Sequence, residues 1–141
     1  MIISEHFDIR ELVHPDIYNH PAIGDRCADF VHPMAAPTFE LLKTATDDVI
    51  TINNWLWGGH YVDSGLRPPN SKTGAKLSSH RFGCGFDLKF KKMSAEMAHA
   101  FILKNQHLFP NITRMESIEK TPSWVHVEIG NRTGKILIFN P

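Results

Sequence analysis

The sequence has no apolar run near the roughly 18 residues that a membrane-spanning helix needs, so no membrane segment is expected. It has no surplus of charge either: 15 Lys and Arg balance 15 Asp and Glu. A balanced chain offers no electrostatic case for nucleic acid or an anionic membrane as partner. Cysteines number only two, Cys27 and Cys84, too few for a disulfide framework. The opening residues Met1-Ile2-Ile3-Ser4-Glu5-His6 lack a basic region followed by an apolar one. No signal peptide is therefore expected, and synthesis in the cytoplasm is. G-x-G-x-x-G, P-loop and G-x-S-x-G patterns are missing, which argues against phosphate binding and against a serine nucleophile. Repeats, linkers and low-complexity stretches are missing too.

What remains is 141 residues with 42% apolar and 21% charged side chains, the composition of one soluble domain spanning 1–141. Residues 1–36, rich in Pro, His and Asp, read as an irregular edge segment with about one helical turn. Their histidines, His6, His14, His20 and His32, show no ligand spacing. Helices are expected near 38–48 and 94–105. The second has Ser94 as N-cap, Glu96 in its first turn and a core stripe of Met97, Phe101 and Leu108 with Ala98 and Ile102 beside it. Strands are expected at 49–52, 86–90, 112–117, 124–129 and 134–139, with a strand end and loop over 62–70. Together these give an α+β fold: a mostly antiparallel sheet with two flanking helices.

Chemistry concentrates in two short segments. In the first, Phe86, Leu88 and Phe90 alternate with Asp87 and Lys89, and His80 precedes Asp87 across a glycine-containing loop. In the second, His126 alternates with Val125, Val127 and Ile129. Two histidines and one aspartate, without an obvious fourth ligand, is the set of a catalytic zinc that keeps an open position. Cys84 is an alternative ligand, disfavoured because thiolate-rich sites are usually structural. Arg67, locked before two prolines, presents a rigid guanidinium suited to a carboxylate or a polarised carbonyl, or is simply a solvated charge. The loop 71–79, with Lys72, Gly74 and Lys76, reads as a flap over substrate or as a plain exposed loop. If 112–117 pairs with 124–129 antiparallel about Thr121, Glu116 comes opposite His126. That makes Glu116 the first candidate for general base. Glu128 is the second, with ligand orientation as its other reading, and Glu119 in the turn is the third.

Three patterns carry a resemblance. Ser78-x-His80-x-x-Gly83-x-Gly85-x-Asp87 resembles the S-x-H-x-x-G-x-A-x-D signature of the zinc D-alanyl-D-alanine carboxypeptidase family of peptidoglycan peptidases. Trp124-x-His126 resembles that family's W-x-H motif for the third ligand. Ser64-Gly65-Leu66-Arg67-Pro68-Pro69-Asn70 is similar to its S-G-x-R-[SP]-x-x-N segment. Order and spacing agree over roughly residues 50–130. The chain departs at Gly85, where alanine is usual, and at Ser123, where several members carry a glutamate as catalytic acid.

The resemblance implies a hedgehog/DD-peptidase-like fold, with Zn2+ on His80, Asp87 and His126. It implies catalytic and substrate-binding work for Arg67, and a loop-fixing, substrate-side role for Ser78. The implied reaction is hydrolysis of a peptide bond in peptidoglycan stem peptides or cross-links: D-Ala-D-Ala, L-Ala-D-Glu or a cross-bridge. A lone catalytic domain of this kind is similar to phage lysis or virion-associated enzymes, which reach the cell wall after phage-assisted release or as virion components. A bacterial origin stays open. The alternative is a non-catalytic zinc-binding interaction module, since the hedgehog signalling domain keeps the same ligand set.

Overall fold

The computed structural model describes residues 1–141. Along the chain come α1 (Ile9–Leu12), α2 (Pro15–Tyr18), α3 (Ala35–Thr46), β1 (Ile50–Thr51) and β2 (Gly85–Phe90), then α4 (Ala95–Lys104), β3 (Ile112–Glu116), β4 (Val125–Ile129) and β5 (Leu137–Phe139). Short 3-10 turns cover Gly24–Phe30, Trp55–Trp57, Ser79–Phe82 and Gln106–Leu108.

The five strands form one sheet in the order β1-β2-β4-β3-β5. β1–β2, β2–β4 and β4–β3 are antiparallel, whereas β5 runs parallel to β3. The expected mostly antiparallel sheet is thus corrected to a mixed one. After β4 the chain reverses, but both edges of β4 are already taken by β2 and β3. The returning strand takes the nearby open edge of β3, and in that direction it lies parallel.

Strand alternation decides which face is core. Phe86 and Leu88 of β2, and Val125 and Val127 of β4, are fully buried on one face, while Asp87 and His126 project from the other. Helix α3 packs on the apolar face, with the Phe39 ring edge-on to Phe86 at 5.1 Å. It begins two residues before Pro37, within the tolerance for proline in a first turn, and ends at Asp47 in the left-handed region at φ 48°. Ser94 caps α4 as expected, its hydroxyl accepting from Met97 N at 3.1 Å. The buried face of α4 is Ala98, His99 and Ile102; Ala98 and Ile102, the flank of the expected stripe, are its centre, whereas Met97 is 59% exposed and Leu108 44%. One apolar cluster of 24 residues runs from Phe7 to Ile136.

The first 34 residues are more ordered than the sequence suggests. Asp8 and Glu11 make a reciprocal capping box on α1. Three His-Pro-x triplets follow, and in each the imidazole Nδ1 accepts the backbone N–H two residues on: Asp16 N to His14 at 3.0 Å, Ala22 N to His20 at 3.2 Å, Met34 N to His32 at 3.1 Å. The proline between fixes φ and has no N–H to compete, so the ring closes a side-chain turn in the manner of an Asx turn. The expected strand end at 62–70 is reduced to a single bridge, Leu66 with Val13. No helix is long and apolar enough to cross a membrane.

Candidate metal centre

His80, Asp87 and His126 come together on the polar face of the sheet, their ligating atoms all within 4.8 Å of one another. Asp87 and His126 are direct cross-strand partners on β2 and β4. His80 reaches them from the 3-10 turn Ser79–Phe82, which packs against β2 because Gly85 has no side chain. A Cβ at position 85 would stand 2.2 Å from Ser79 Oγ and 2.8 Å from His80 N. Gly83 ends that turn at φ 71°, where a Cβ would lie 1.8 Å from Phe30 O. Cys84, the alternative ligand, points elsewhere, with Sγ 3.5 Å from Ser79 O.

Each ligand is oriented by a second contact. His80 Nδ1 donates to Gly65 O at 3.0 Å, which turns Nε2 toward Asp87 Oδ1 at 3.4 Å. His126 Nδ1 lies 2.9 Å from the same oxygen, and on its far side Nε2 meets Ser79 Oγ at 3.4 Å and Glu128 Oε1 at 3.7 Å. The second oxygen of Asp87 accepts from Arg67 Nη2 at 3.3 Å, and its backbone N donates to Ser64 O at 2.8 Å. Gly65 and Leu66 are held in turn by the N-terminal segment: Leu66 N donates to Leu12 O and His14 N to Leu66 O.

Electrostatics agree with a site built for positive charge. Burial alone would raise the Asp87 carboxyl, yet hydrogen bonds from His126 and His80 hold it well below the usual carboxylate range. Burial would lower His126, but Asp87 and Glu128 outweigh it and raise the ring to about 9. A proton therefore sits between His126 and Asp87 where a metal cation would take its place.

These side chains line a cavity of about 430 Å³, walled by the loop 73–78 and by Trp124. Its floor follows the sheet register. Arg114 pairs with Glu128 and Met115 with Val127, a register symmetric about Thr121, so Glu116 falls opposite His126; Phe139 of β5 opposes Glu116. Asp87, His126, Glu116 and Phe139 thus form one row across four strands, about 4.8 Å per step. The Glu116 carboxylate lines the cavity without a hydrogen bond or ion pair, while His99 on α4 bonds its backbone carbonyl at 3.2 Å. Burial raises its pKa. Glu128 is lowered instead: burial opposes, but His126 and Arg114 prevail. Glu119 is exposed in the turn and does not line the cavity.

Arg67, only 7% exposed, also lines the cavity; its Nε donates to Asp63 O, so the rigid presentation comes from burial and two anchors as much as from the prolines. Ser78 lines the cavity with its hydroxyl unbonded within the chain. The serine beside His126 is Ser79, which sequence reasoning missed. Nothing in the sequence separates two adjacent serines; only the phase of the 3-10 turn does. Lys89, two residues beyond Asp87, is lowered to about 8 by burial and donates to Ile52 O and Ser64 Oγ, tying the 50–64 stretch to β2.

Comparison with models of protein families, with curated proteins and with solved structures finds no match to this chain.

Proposed function

We propose that this chain is a zinc-dependent peptidase that hydrolyses a peptide bond in peptidoglycan stem peptides or cross-links, with the hedgehog/DD-peptidase-like arrangement its motifs resemble. The observation that carries this reading is an unpaired carboxylate, Glu116, one strand away from a buried His-Asp-His group in a shared cavity.

The donor set suits zinc. Ligands at about 2.0–2.1 Å around a tetrahedral ion stand about 3.3 Å from one another. The Asp87 Oδ1 separations of 3.4 Å to His80 Nε2 and 2.9 Å to His126 Nδ1 are close to that edge. Three protein donors would leave one position of a four-coordinate ion open. Bound there, zinc would supply a Lewis acid that polarises a scissile carbonyl and an attacking water.

The chain's own groups supply the rest. Glu116, its pKa raised by burial, takes the proton of the attacking water and returns it to the departing nitrogen. Arg67 holds the outer oxygen of Asp87 and presents its charge to the oxyanion that develops on the carbonyl. Glu128 and Ser79 hold the His126 ring from its far side. Sheet backbone fixes Asp87, His126 and Glu116, so little reorganisation accompanies the reaction.

Release of soluble fragments from purified peptidoglycan by zinc-loaded protein, abolished by chelation and restored by zinc, tests the proposal. Protein that holds zinc tightly but releases nothing would return the site to the non-catalytic interaction module. A phage lysis or virion role follows from the same reading, and is tested by clearing of intact cells when the protein is applied from outside.

A further inference from the structure

The hydrolytic reading leaves the bond open, and the far half of the cavity bears on it. A second row on the same face, two residues along the strands, holds Glu128, Arg114 and Leu137. The Arg114 guanidinium lies 4.1 Å from the centre of the Phe139 ring, and Phe139 stands opposite Glu116 and edge-on to the His126 ring at 5.9 Å. Arg67 and Arg81 each place two nitrogens on carbonyls or on Asp87, although Arg81 Nε, like that of Arg114, has no acceptor. Arg114 places none. It makes no hydrogen bond, its Nε is shut from water without an acceptor, and its one ion pair is a 3.4 Å approach of Nη1 to Glu128. Glu128 is itself divided between Arg114 and His126. A side chain stacked on a phenyl ring, 43% exposed and left with free donors, has the features a carboxylate receptor needs.

The row gives the cavity a direction. The carbonyl to be cut belongs at the His-Asp-His end, and the departing nitrogen belongs at Glu116, which must protonate it. The residue that leaves therefore extends past Glu116, toward Arg114 and Phe139. We infer that Arg114 reads a free carboxylate on the leaving residue, so that the substrate is a peptide whose amine-side residue keeps a carboxylate next to the cut. This rests on the hydrolytic reading. It selects D-Ala-D-Ala, through the terminal carboxylate, or L-Ala-D-Glu, through the α-carboxylate, over a cross-bridge whose neighbouring carboxyls are all in amide linkage.

The test uses two pairs of synthetic peptides with zinc-loaded protein. One pair is acetyl-D-Ala-D-Ala and its C-terminal amide. The other is acetyl-L-Ala-D-Glu with the γ-carboxyl capped, and the α-carboxylate free or amidated. For one pair, kcat/KM of the acid should exceed that of the amide by about tenfold or more, with the difference in KM. The pair that shows it identifies the source of the carboxylate. Arg114→Met should erase the preference, and Arg114→Lys should keep part of it with the melting temperature of the wild type. Equal cleavage of acid and amide by the wild type, or a preference surviving in Arg114→Met, overturns the inference. Digestion of purified peptidoglycan tests the hydrolytic reading separately. If no peptide is cut, calorimetric titration of the same pairs decides: tighter binding of the acid, lost in Arg114→Met, upholds the carboxylate site, and equal binding overturns it.

Discussion

The polar face of the sheet has two halves that differ in how their charges are kept. On β2 and β4 the charged and imidazole groups are committed. Asp87 is shared by His80, His126 and Arg67, and both imidazoles are braced from behind. On β3, beside the apolar β5, the charged groups are left open: Glu116 has no partner and Arg114 has one loose one. A metal ligand must hold still, and loses affinity when its brace is lost. A proton carrier or a carboxylate reader must keep a free valence for something that is not part of the chain. On the proposed reading the same sheet delivers both, because register fixes position while the side chains on each strand decide whether a partner is built in.

The severest way to break this comparison is to remove a ligand. His80→Ala and His126→Ala should each lose metal and activity together, and full metal occupancy in either variant would take that residue out of the site. Next is Glu116→Gln, which keeps size and removes the proton acceptor. It should retain metal and melting temperature while turnover falls by about 10²–10⁴-fold. The same change at Glu128 or Glu119 should cost less turnover. A dead Glu128→Gln beside an active Glu116→Gln would invert the two halves.

Arg67→Ala should lower turnover by about a hundredfold, with lysine rescuing poorly because the planar fork is lost. It should also weaken metal binding, because Asp87 Oδ2 is left without its partner. Glu128→Gln should lower metal affinity by about 10–100-fold, as loss of a bracing carboxylate does, measured by competition with a chromophoric chelator.

The smallest expected signal is in protons. In the metal-free protein, His126 is raised to about 9, so its contribution to stability is fully present below pH 6.5 and is lost as pH rises through about 9. Asp87 is depressed, so its contribution is present above the usual carboxylate range and is lost as pH falls through its lowered value. Metal-free stability should therefore be greatest between these limits. Metal binding near pH 7 should release about one proton, which calorimetry in buffers of different ionisation heat would read. Absence of release would mean that His126 is already neutral and the site less prepared for a cation.

The committed half was the more legible in the sequence. His80, Asp87 and His126 stand in spaced motifs, and strand alternation alone puts Asp87 and His126 on one face. The placement of Glu116 was legible as well, because Thr121 lies midway between two apolar-patterned runs and the pairing of Arg114 with Glu128 and Met115 with Val127 follows that symmetry. What was not legible depends on contacts between distant segments. The parallel course of β5 follows from its taking the edge beside β3, a choice no single residue of β5 announces. The anchoring of Arg67 on Asp87 depends on a loop closing over 20 residues. The stripe of α4 was misplaced because Met97 and Ala98 satisfy helical spacing almost equally, and only the neighbouring sheet chooses between them. The His-Pro-x turns were not legible because an exposed or hydrogen-bonded histidine has many possible partners, and only the fixed φ of the proline that follows selects its own backbone.

The stretch 64–67 serves two masters. On one side Leu66 exchanges backbone hydrogen bonds with Leu12 and His14. On the other, Gly65 O steadies His80, Ser64 O receives the Asp87 amide, and Arg67 N bonds His80 O. Whatever fixes the ligands must also slow the opening of this stretch, since any state that frees Leu66 frees both histidine and aspartate supports at once. Occupancy of the centre should therefore be audible far from it. Amide hydrogens of His14 and Leu66, neither of which touches the cavity, should exchange with deuterium more slowly when metal is added, by the factor through which the metal stabilises the closed form, while those of exposed β5 hardly change.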